Sequence, residues 1–431
     1  MLRVFVPNKD LQPMMPCHLA RARKLLKNGR ARVYRRYPFT IVILDREAFE
    51  TQDVELKLDP GSKITGIAVV GNFNRGSELL WAANLEHRGL QVRESLQRRR
   101  ALRRSRRSRK LRYRPARFQN RRRPEGWLPP SLLSRVDNVK VWGERLTRYT
   151  PVASVHVETV RFDTQEIQNP EISGVEYQQG ELAGYEVREY LLEKFNRTCV
   201  YCGSRNVPLE IEHLVPRSRG GSDRVSNLAL ACTPCNQRKG NQTAEEFGYP
   251  HLMDEAKKPL RDAAAINAIR YRIGETLKSF GLPIHFWSGG RTKMNRIKQG
   301  YPKDHWIDAA CVGENGDDVQ LSPIASVLHI KATGRGSRQM CLMDRYGFPR
   351  TKAKRVKRIH GFQTGDMARL NQPKGKYKGV WEGKVSVRER GYFDILTSSG
   401  ARITASWKNF MLLQRFDGYA YSLRRLSSSV H

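Results

Sequence analysis

Four cysteines in two pairs carry the most specific chemistry in the chain. Cys199-Val200-Tyr201-Cys202 and Cys232-Thr233-Pro234-Cys235 are separated by 29 residues. Two Cys-x-x-Cys turns in one short segment suit tetrahedral zinc, and four thiolates leave no open position, so such a zinc is structural. Between the pairs lies Leu209-Glu210-Ile211-Glu212-His213-Leu214-Val215-Pro216-Arg217-Ser218, then Asn227, and Asn236 follows the last cysteine. An imidazole that is neutral near pH 7 can accept a proton from water. Taken by itself, His213 also reads as a satisfied surface histidine.

A second set is scattered. Asp59 falls in Leu58-Asp59-Pro60-Gly61-Ser62, between two β-branched runs of Val54–Val70. The pattern predicts a hairpin with Asp59 at the end of its first strand. A carboxylate there, beside the close-approaching Gly61 backbone, suits a divalent cation and a phosphate, although Asp-Pro-Gly is also an ordinary turn. Glu158 stands at the end of the β-branched run Val152–Val157, where an exposed strand-end acid is the plainer reading. His305 and Asp308, in a helix start over Lys303–Ala310, are i and i+3 and share a face. Each is unremarkable alone; together they offer three carboxylates and an imidazole at element ends.

The elements that must hold these residues follow from periodicity. Val4–Val6, Arg32–Tyr37 and Thr40–Leu44 read as strands, with a helix over Cys17–Lys27 stopped by Gly29; Met14 and Met15 read as core filler. A third strand of the hairpin sheet ends near Leu85. Trp127–Tyr149 is a helix with Leu132, Leu133, Val136, Val139 and Leu146 as its buried stripe, and Gly184–Phe195 is another. Pro259–Phe280 is a helix burying Ala263, Ile266, Ile269, Ile273 and Leu277. Pro283–Phe286 is a short strand followed by Ser288–Thr292, a turn suited to phosphate. At the end, strands over 366–370, 376–381, 383–388, 392–397, 402–406 and 411–415 predict a small β-barrel.

Charge narrows the partners. The 431 residues hold 78 Lys+Arg against 42 Asp+Glu, a net +36, far beyond what solubility needs and pointing to nucleic acid. From Arg98 to Arg123 there are 14 Arg and one Lys with no acid, supplying +15 and leaving +21 elsewhere. This run cannot bury a hydrophobic face, and alone it is expected to be disordered or only partly helical, with Pro115 ending any helix near Tyr113. Guanidinium forks suit phosphate, so Arg98, Arg99, Arg103, Arg106, Arg107, Arg109, Arg112, Arg114, Arg117, Arg121, Arg122 and Arg123 are candidate backbone contacts. No run of about 18 apolar residues predicts a membrane span, and the first residues lack a signal-peptide core. Seven cysteines, four of them in the paired motif, fit a reducing compartment.

The segment 199–236 resembles the HNH endonuclease family with its ββα-metal fold. The resemblance implies His213 as general base, Glu212 and Asn236 as ligands of one Mg²⁺, and Asn227 as the residue that fixes the loop and orients His213. Asn236 stands where many members carry His. Arg217, Arg219, Arg238 and Lys239 would be phosphate contacts. Asp59, Glu158 and Asp308 with His305 resemble a RuvC-type RNase H core cut into three pieces. That order of parts resembles the RNA-guided nucleases of the CRISPR type II effectors and, at this length, the transposon-encoded IscB family; Pro13-Met14-Met15-Pro16 resembles the family's PLMP element, with Met14 where Leu is usual.

The resemblance implies an α+β multidomain chain: an N-terminal PLMP-like domain (1–53), RuvC-like part I (54–86), an Arg-rich bridge helix (87–123), part II (124–185), an HNH domain with Cys₄ zinc (186–250), part III (251–335) and a C-terminal β domain (336–431). It implies two Mg²⁺ at Asp59, Glu158 and Asp308, with His305 helping to activate water. It further implies a non-coding guide RNA of the omega type, double-stranded target DNA, a monomeric ribonucleoprotein in the prokaryotic cytoplasm, and a short flanking motif read by the C-terminal region. Arg369, Lys374, Lys376, Lys378 and Arg390 are candidates for that reading. The alternatives are a guide-independent HNH endonuclease of the mobile-element type, in which the Arg-rich helix and split core have no role, and a binding protein with vestigial nuclease sites.

Overall fold

Strand alternation builds the centre of the molecule. In the computed structural model, β3 (Val54–Pro60), β4 (Ile64–Phe73) and β5 (Gly76–Glu86) form an antiparallel meander, following α1 (Leu19–Lys27) and the β1 (Ala31–Arg35) and β2 (Thr40–Ile43) hairpin. The structure describes residues 3–47, 51–108, 127–159, 183–205, 207–258, 261–321, 326–334, 341, 343–346, 348–352, 356–397 and 400–425. β6 (Val152–Glu158) pairs parallel with β3, and β9 (Ile284–Trp287) pairs parallel with β6. The resulting order, β5-β4-β3-β6-β9, is that of an RNase H-like sheet. It is extended at the β5 side by β10 (Val319–Gln320), β11 (Ser326–Ala332) and β19 (Tyr419–Arg425).

Period-two alternation gives that sheet two different faces. Val54, Leu56 and Leu58 of β3, with Val155 and Val157 of β6, enter a core closed by α3 (Pro130–Tyr149) and α7 (Arg261–Lys278) through Val139, Trp142, Leu146, Ile273 and Leu277. Leu133, expected in the buried stripe of α3, is 42% exposed; Trp142 is the large side chain that fills this core. The other face carries Glu55, Lys57 and Asp59 of β3 and His156 and Glu158 of β6. α9 (His305–Ala310) lies over it, packing Trp306, Ile307 and Ala310 on Ala68, Val70 and Ala82. Gly66 allows that close approach: a Cβ there would sit 1.8 Å from the His305 carbonyl oxygen.

Units are spliced between strands successive in sequence. α2 (Gly89–Ser108) follows β5 and packs on α3, whereas α4 (Ala183–Lys194), β7 (Leu209–His213), β8 (Leu228–Cys232), α5 (Thr233–Lys239) and α6 (His251–Lys257) fall between β6 and β9. β7 and β8 pair antiparallel, and their cluster includes Tyr190, Leu191, Leu214 and Leu230. The C-terminal unit is a five-stranded antiparallel sheet ordered β17 (Arg402–Ser406), β16 (Tyr392–Thr397), β15 (Gly379–Ser386), β14 (Met367–Gln372), β18 (Phe410–Gln414), with a two-stranded hairpin of β12 (Arg358–Ile359) and β13 (Phe362–Gln363) beside it. It packs a core of Phe362, Leu370, Phe393, Ile395 and Phe410, with β17 and β18 as its two edge strands.

Three expectations change. The strands expected over 376–381 and 383–388 are one strand, β15, because pairing runs unbroken through Glu382: Gly383 lies in the ladder opposite Thr397, where a Cβ would meet the Leu396 carbonyl oxygen at 2.0 Å. Ser288–Thr292 is the start of α8 (Gly289–Lys298), with the Ser288 side chain capping it by accepting from the Arg291 N–H. Tyr419–Arg425, counted with the C-terminal domain, leaves it and pairs antiparallel with β11 from Ser326↔Arg425 to Ala332↔Tyr419.

Candidate active sites

Asp59 and Glu158 arrive side by side for a reason of register. The β3–β6 ladder runs to Leu58↔Val157, whose side chains enter the core, so the next residue on each strand emerges together on the opposite face. α9 then delivers His305 and Asp308 onto that face. His305 Nδ1 lies 3.2 Å from Asp59 Oδ2. Burial pushes the Glu158 carboxyl well above its usual range; the Asp59 charge adds to this and Asp308 contributes, while a hydrogen bond with Thr292 opposes it. Asp308 is pushed up to about 6 by burial and then by Asp59, against the pull of Arg296. Burial lowers the His305 pKa, but the hydrogen bond and charge of Asp59, with Asp308 and Asp304, outweigh it and the net shift is upward.

The structure thus brings all four predicted residues of this set into one electrostatic neighbourhood. Three carboxylates so placed, two of them (Glu158 and Asp308) with proton affinities raised by burial and then by the Asp59 charge, could hold a hard divalent cation. Their oxygens stand apart rather than in one tight cluster: among the described residues, only the four cysteine thiols bring three or more ligating atoms within 4.8 Å of one another. Asp308 Oδ1 instead meets Arg296 Nε at 2.7 Å. Under the site lies a polar layer that sequence reasoning missed. Lys57 is fully buried with its Nζ 3.3 Å from Glu55 Oε2, and His156 accepts from Trp287 Nε1 at 3.0 Å.

In the inserted unit the four thiols are gathered, with Cys202 Sγ and Cys232 Sγ 3.7 Å apart. A tetrahedral zinc with Zn–S of about 2.3 Å has S–S edges of about 3.8 Å, so the cluster fits zinc. His213 ends β7, and its Nε2 lies 2.7 Å from Asp223 Oδ1; Arg217 Nε approaches the same ring nitrogen at 3.3 Å. Its hydrogen bond with His213, then that with Arg217, holds Asp223 below the usual carboxylate range. Asn227 is 7% exposed and acts as a brace: its Nδ2 donates to Val215 O at 3.0 Å and Ser222 O at 2.8 Å, and its Oδ1 accepts from Val215 N at 2.9 Å. Gly221 is forced at the same turn, since a Cβ there would lie 1.7 Å from Val215 O.

Glu212 and Asn236 are not brought together. Glu212 turns inward, 3% exposed, accepting from the Tyr201 hydroxyl at 2.8 Å and facing Lys239 Nζ at 2.5 Å. That second contact is an ion pair without aligned hydrogen-bond geometry. Asn236 Nδ2 donates to Glu210 Oε2 at 2.7 Å, and Thr233 donates to the other oxygen of Glu210. The donor pair expected for a cation here does not converge in this arrangement. Lys239 is also not a phosphate contact: it is 2% exposed and donates to the His213 carbonyl at 2.8 Å. Arg217, Arg219 and Arg238 remain on the surface; Arg217 pairs with Asp223 and Arg219 with Glu246. Asp223 and Glu210 were missed because nothing local marks an acid ten residues past His213, or three before it, as its neighbour or as that of Asn236.

Of the arginine run, Arg98 and Arg103 are exposed on α2 and Arg99 is half-buried. Arg106 and Arg107 fall in the last turns of α2, where side chains lie outside the described residues, as do Arg109, Arg112, Arg114, Arg117, Arg121, Arg122, Arg123 and the expected stop at Pro115. In the C-terminal unit Lys374, Lys376, Lys378 and Arg390 are exposed, whereas Arg369 is committed to Glu382 Oε1 through Nε and Nη2 at 3.0 and 2.7 Å.

Residues 4–180 match the RRXRR protein family and residues 199–242 the HNH endonuclease family. The chain thus carries an RRXRR region followed by an HNH endonuclease unit. No curated protein matches it. Among solved structures, Streptococcus thermophilus Cas9 in complex with the AGAA PAM overlaps 60% of this chain and 32% of its own, at 12% identity and TM-score 0.21. The type II-C Cas9 of Actinomyces naeslundii overlaps 43% and 29%, at 18% identity and TM-score 0.15. T. thermophilus RuvC in complex with a Holliday junction substrate overlaps 59% and 87%, at 13% identity and TM-score 0.20. The chain spans about a third of the length of the S. thermophilus Cas9 structures it matches. No helix among the described residues is long and apolar enough to cross a membrane.

Proposed function

We propose that the protein is an RNA-guided double-strand DNA endonuclease, in which the HNH site cuts the guide-paired strand and the RuvC-like site the displaced strand after a short flanking motif is recognised. One observation carries the reading: Asp59 ending β3, Glu158 ending β6 and Asp308 on α9, from segments far apart in sequence, lie over one sheet face while an HNH unit is spliced between β6 and β9. The Arg-rich α2, docked on α3 beside that sheet, supplies guanidinium groups for a phosphate backbone whose sequence is read by base pairing rather than by protein. The partners proposed are a guide RNA of the omega type and target DNA, in a monomeric ribonucleoprotein of a prokaryotic cytoplasm.

At the RuvC-like site Asp59, Glu158 and Asp308 would hold Mg²⁺, which when bound offsets charge on the scissile phosphate and favours hydroxide over water. His305, held by Asp59, is placed to take a proton from the incoming water. At the HNH site His213 is the base, with Asp223 orienting its ring and Lys239 and Asn227 fixing its backbone and loop. No step is assigned to a cation there, because Glu212 and Asn236 face different partners.

Sequencing of the RNA that co-purifies with the protein tests the guide: one long structured species supports it, and a protein free of RNA refutes it. With that RNA, target plasmid and Mg²⁺, His213→Ala is expected to leave only the displaced strand cut and Asp59→Ala only the paired strand. Loss of both cuts in either variant contradicts the two-site assignment.

A further inference from the structure

A cation already sits on the third carboxylate of the RuvC-like site. Arg296 Nε lies 2.7 Å from Asp308 Oδ1, with the two side chains 12% and 13% exposed, and Arg296 Nη1 donates to Tyr301 O at 3.1 Å. The neighbouring Asn295 is 2% exposed and donates Nδ2 to Cys311 O and Gly313 O, each at 3.0 Å. Those carbonyls lie just past the end of α9, the helix that carries Asp308. α8 is therefore bolted to α9, and the guanidinium leaves Asp308 only by rotation of its own side chain, not by drift of the helix. Of the other basic groups nearby, His305 is on Asp59, Lys57 is beside Glu55, and Lys303 acts on Asp308 and Glu158 through its charge, more weakly on Asp308 than Arg296 does.

We propose that Arg296 is a tethered stand-in for the divalent cation. It neutralises Asp308 while no ion is bound and is displaced when one binds, so it holds the affinity of the site down. The inference rests on reading Asp59, Glu158 and Asp308 as a cation site. A guanidinium beside a carboxylate lowers its proton affinity by about 1–3 units, and it competes with any other cation through the same charge, roughly tenfold per unit. Arg296 touches one of the three carboxylates, whereas a dication bridges more than one. The bridging ion wins when it is abundant, and the tethered group wins when it is scarce.

The test is calorimetric titration of Mn²⁺ into the full-length protein free of nucleic acid. The component lost in Asp308→Asn defines this site; if that variant loses no component, the cation-site reading itself fails. With the component present in the parent, Arg296→Gln is expected to tighten it by roughly tenfold or more. Arg296→Met carries the same expectation with a side chain of similar reach, so one folded variant of the two suffices. The cation-free variant is also expected to melt lower than the parent and to gain more in Tm from Mn²⁺. Unchanged or weaker Mn²⁺ affinity on removal of the guanidinium overturns the proposal and makes Arg296 a plain structural partner of Asp308.

Discussion

Replacing Lys239 with Met should loosen the HNH unit by an amount that can be set out in advance. Lys239 is 2% and Glu212 3% exposed, so solvent screens neither charge. The substitution removes Nζ from Glu212 Oε1 and from the His213 carbonyl, and leaves Glu212 with the Tyr201 hydroxyl as its remaining described partner. Stranding one member of a buried ion pair costs about 3–5 kcal/mol, most of it the desolvation of the charge left behind. A multidomain chain does not unfold in two states, so the assay is hydrogen exchange of β7 and β8 amides in the full-length, zinc-loaded protein. Their opening free energy should fall by about 3 kcal/mol, more than a hundredfold in exchange rate. Glu212→Gln combined with Lys239→Met removes the stranded charge and should recover most of that loss. Paired-strand nicking should stay low in both, because the His213 carbonyl has lost its donor. Exchange in Lys239→Met within about threefold of the parent, or a double variant as loose as the single one, would refute the reasoning.

Zinc should be present at one ion per chain in the purified protein; Cys232→Ser should lose it and unfold the HNH unit, as metal analysis and limited proteolysis would record. Gly66→Ala places a Cβ 1.8 Å from the His305 carbonyl oxygen and should cost about 1–3 kcal/mol while abolishing displaced-strand nicking and sparing the paired strand, readable on plasmid DNA. Asp308, raised to about 6, holds its proton in the folded state at a pH where the unfolded chain has released it. The folded state therefore binds more protons between about pH 4 and pH 6, and this group's contribution to cation-free stability is lost as pH rises through that interval. Melting in chelator at about pH 5 and about pH 7 should show that loss, and Asp308→Asn should reduce it.

The sequence exposed what depends on local spacing. The Asp59 hairpin, the paired cysteines, Asn227 and the short helix bearing His305 and Asp308 each announce themselves within a dozen residues. It hid what depends on which way a side chain turns. Glu210 and Glu212 sit two apart on one strand, yet one reaches Asn236 and the other is drawn inward by Tyr201 and Lys239, a choice made by a helix some twenty residues on. Lys239 reads as one more surface cation in a basic chain until packing encloses it. Arg296 carries no motif, and its role emerges only when α8 is fixed against α9 by Asn295. Glycine carries more than one meaning. Gly383 admits a neighbouring backbone in mid-strand, and Gly289-Gly290 opens a helix rather than a turn.

The C-terminal unit is held at both ends by the same sheet margin. The chain departs after β11, forms the five-stranded unit, and comes back as β19 along seven residue pairs of β11 itself. A unit on one linker can swing freely; a unit returned in this way has its exit pinned by that ladder. The point at which the chain leaves the five-stranded unit is therefore set relative to Asp59 and Glu158 by the strand register of one continuous sheet.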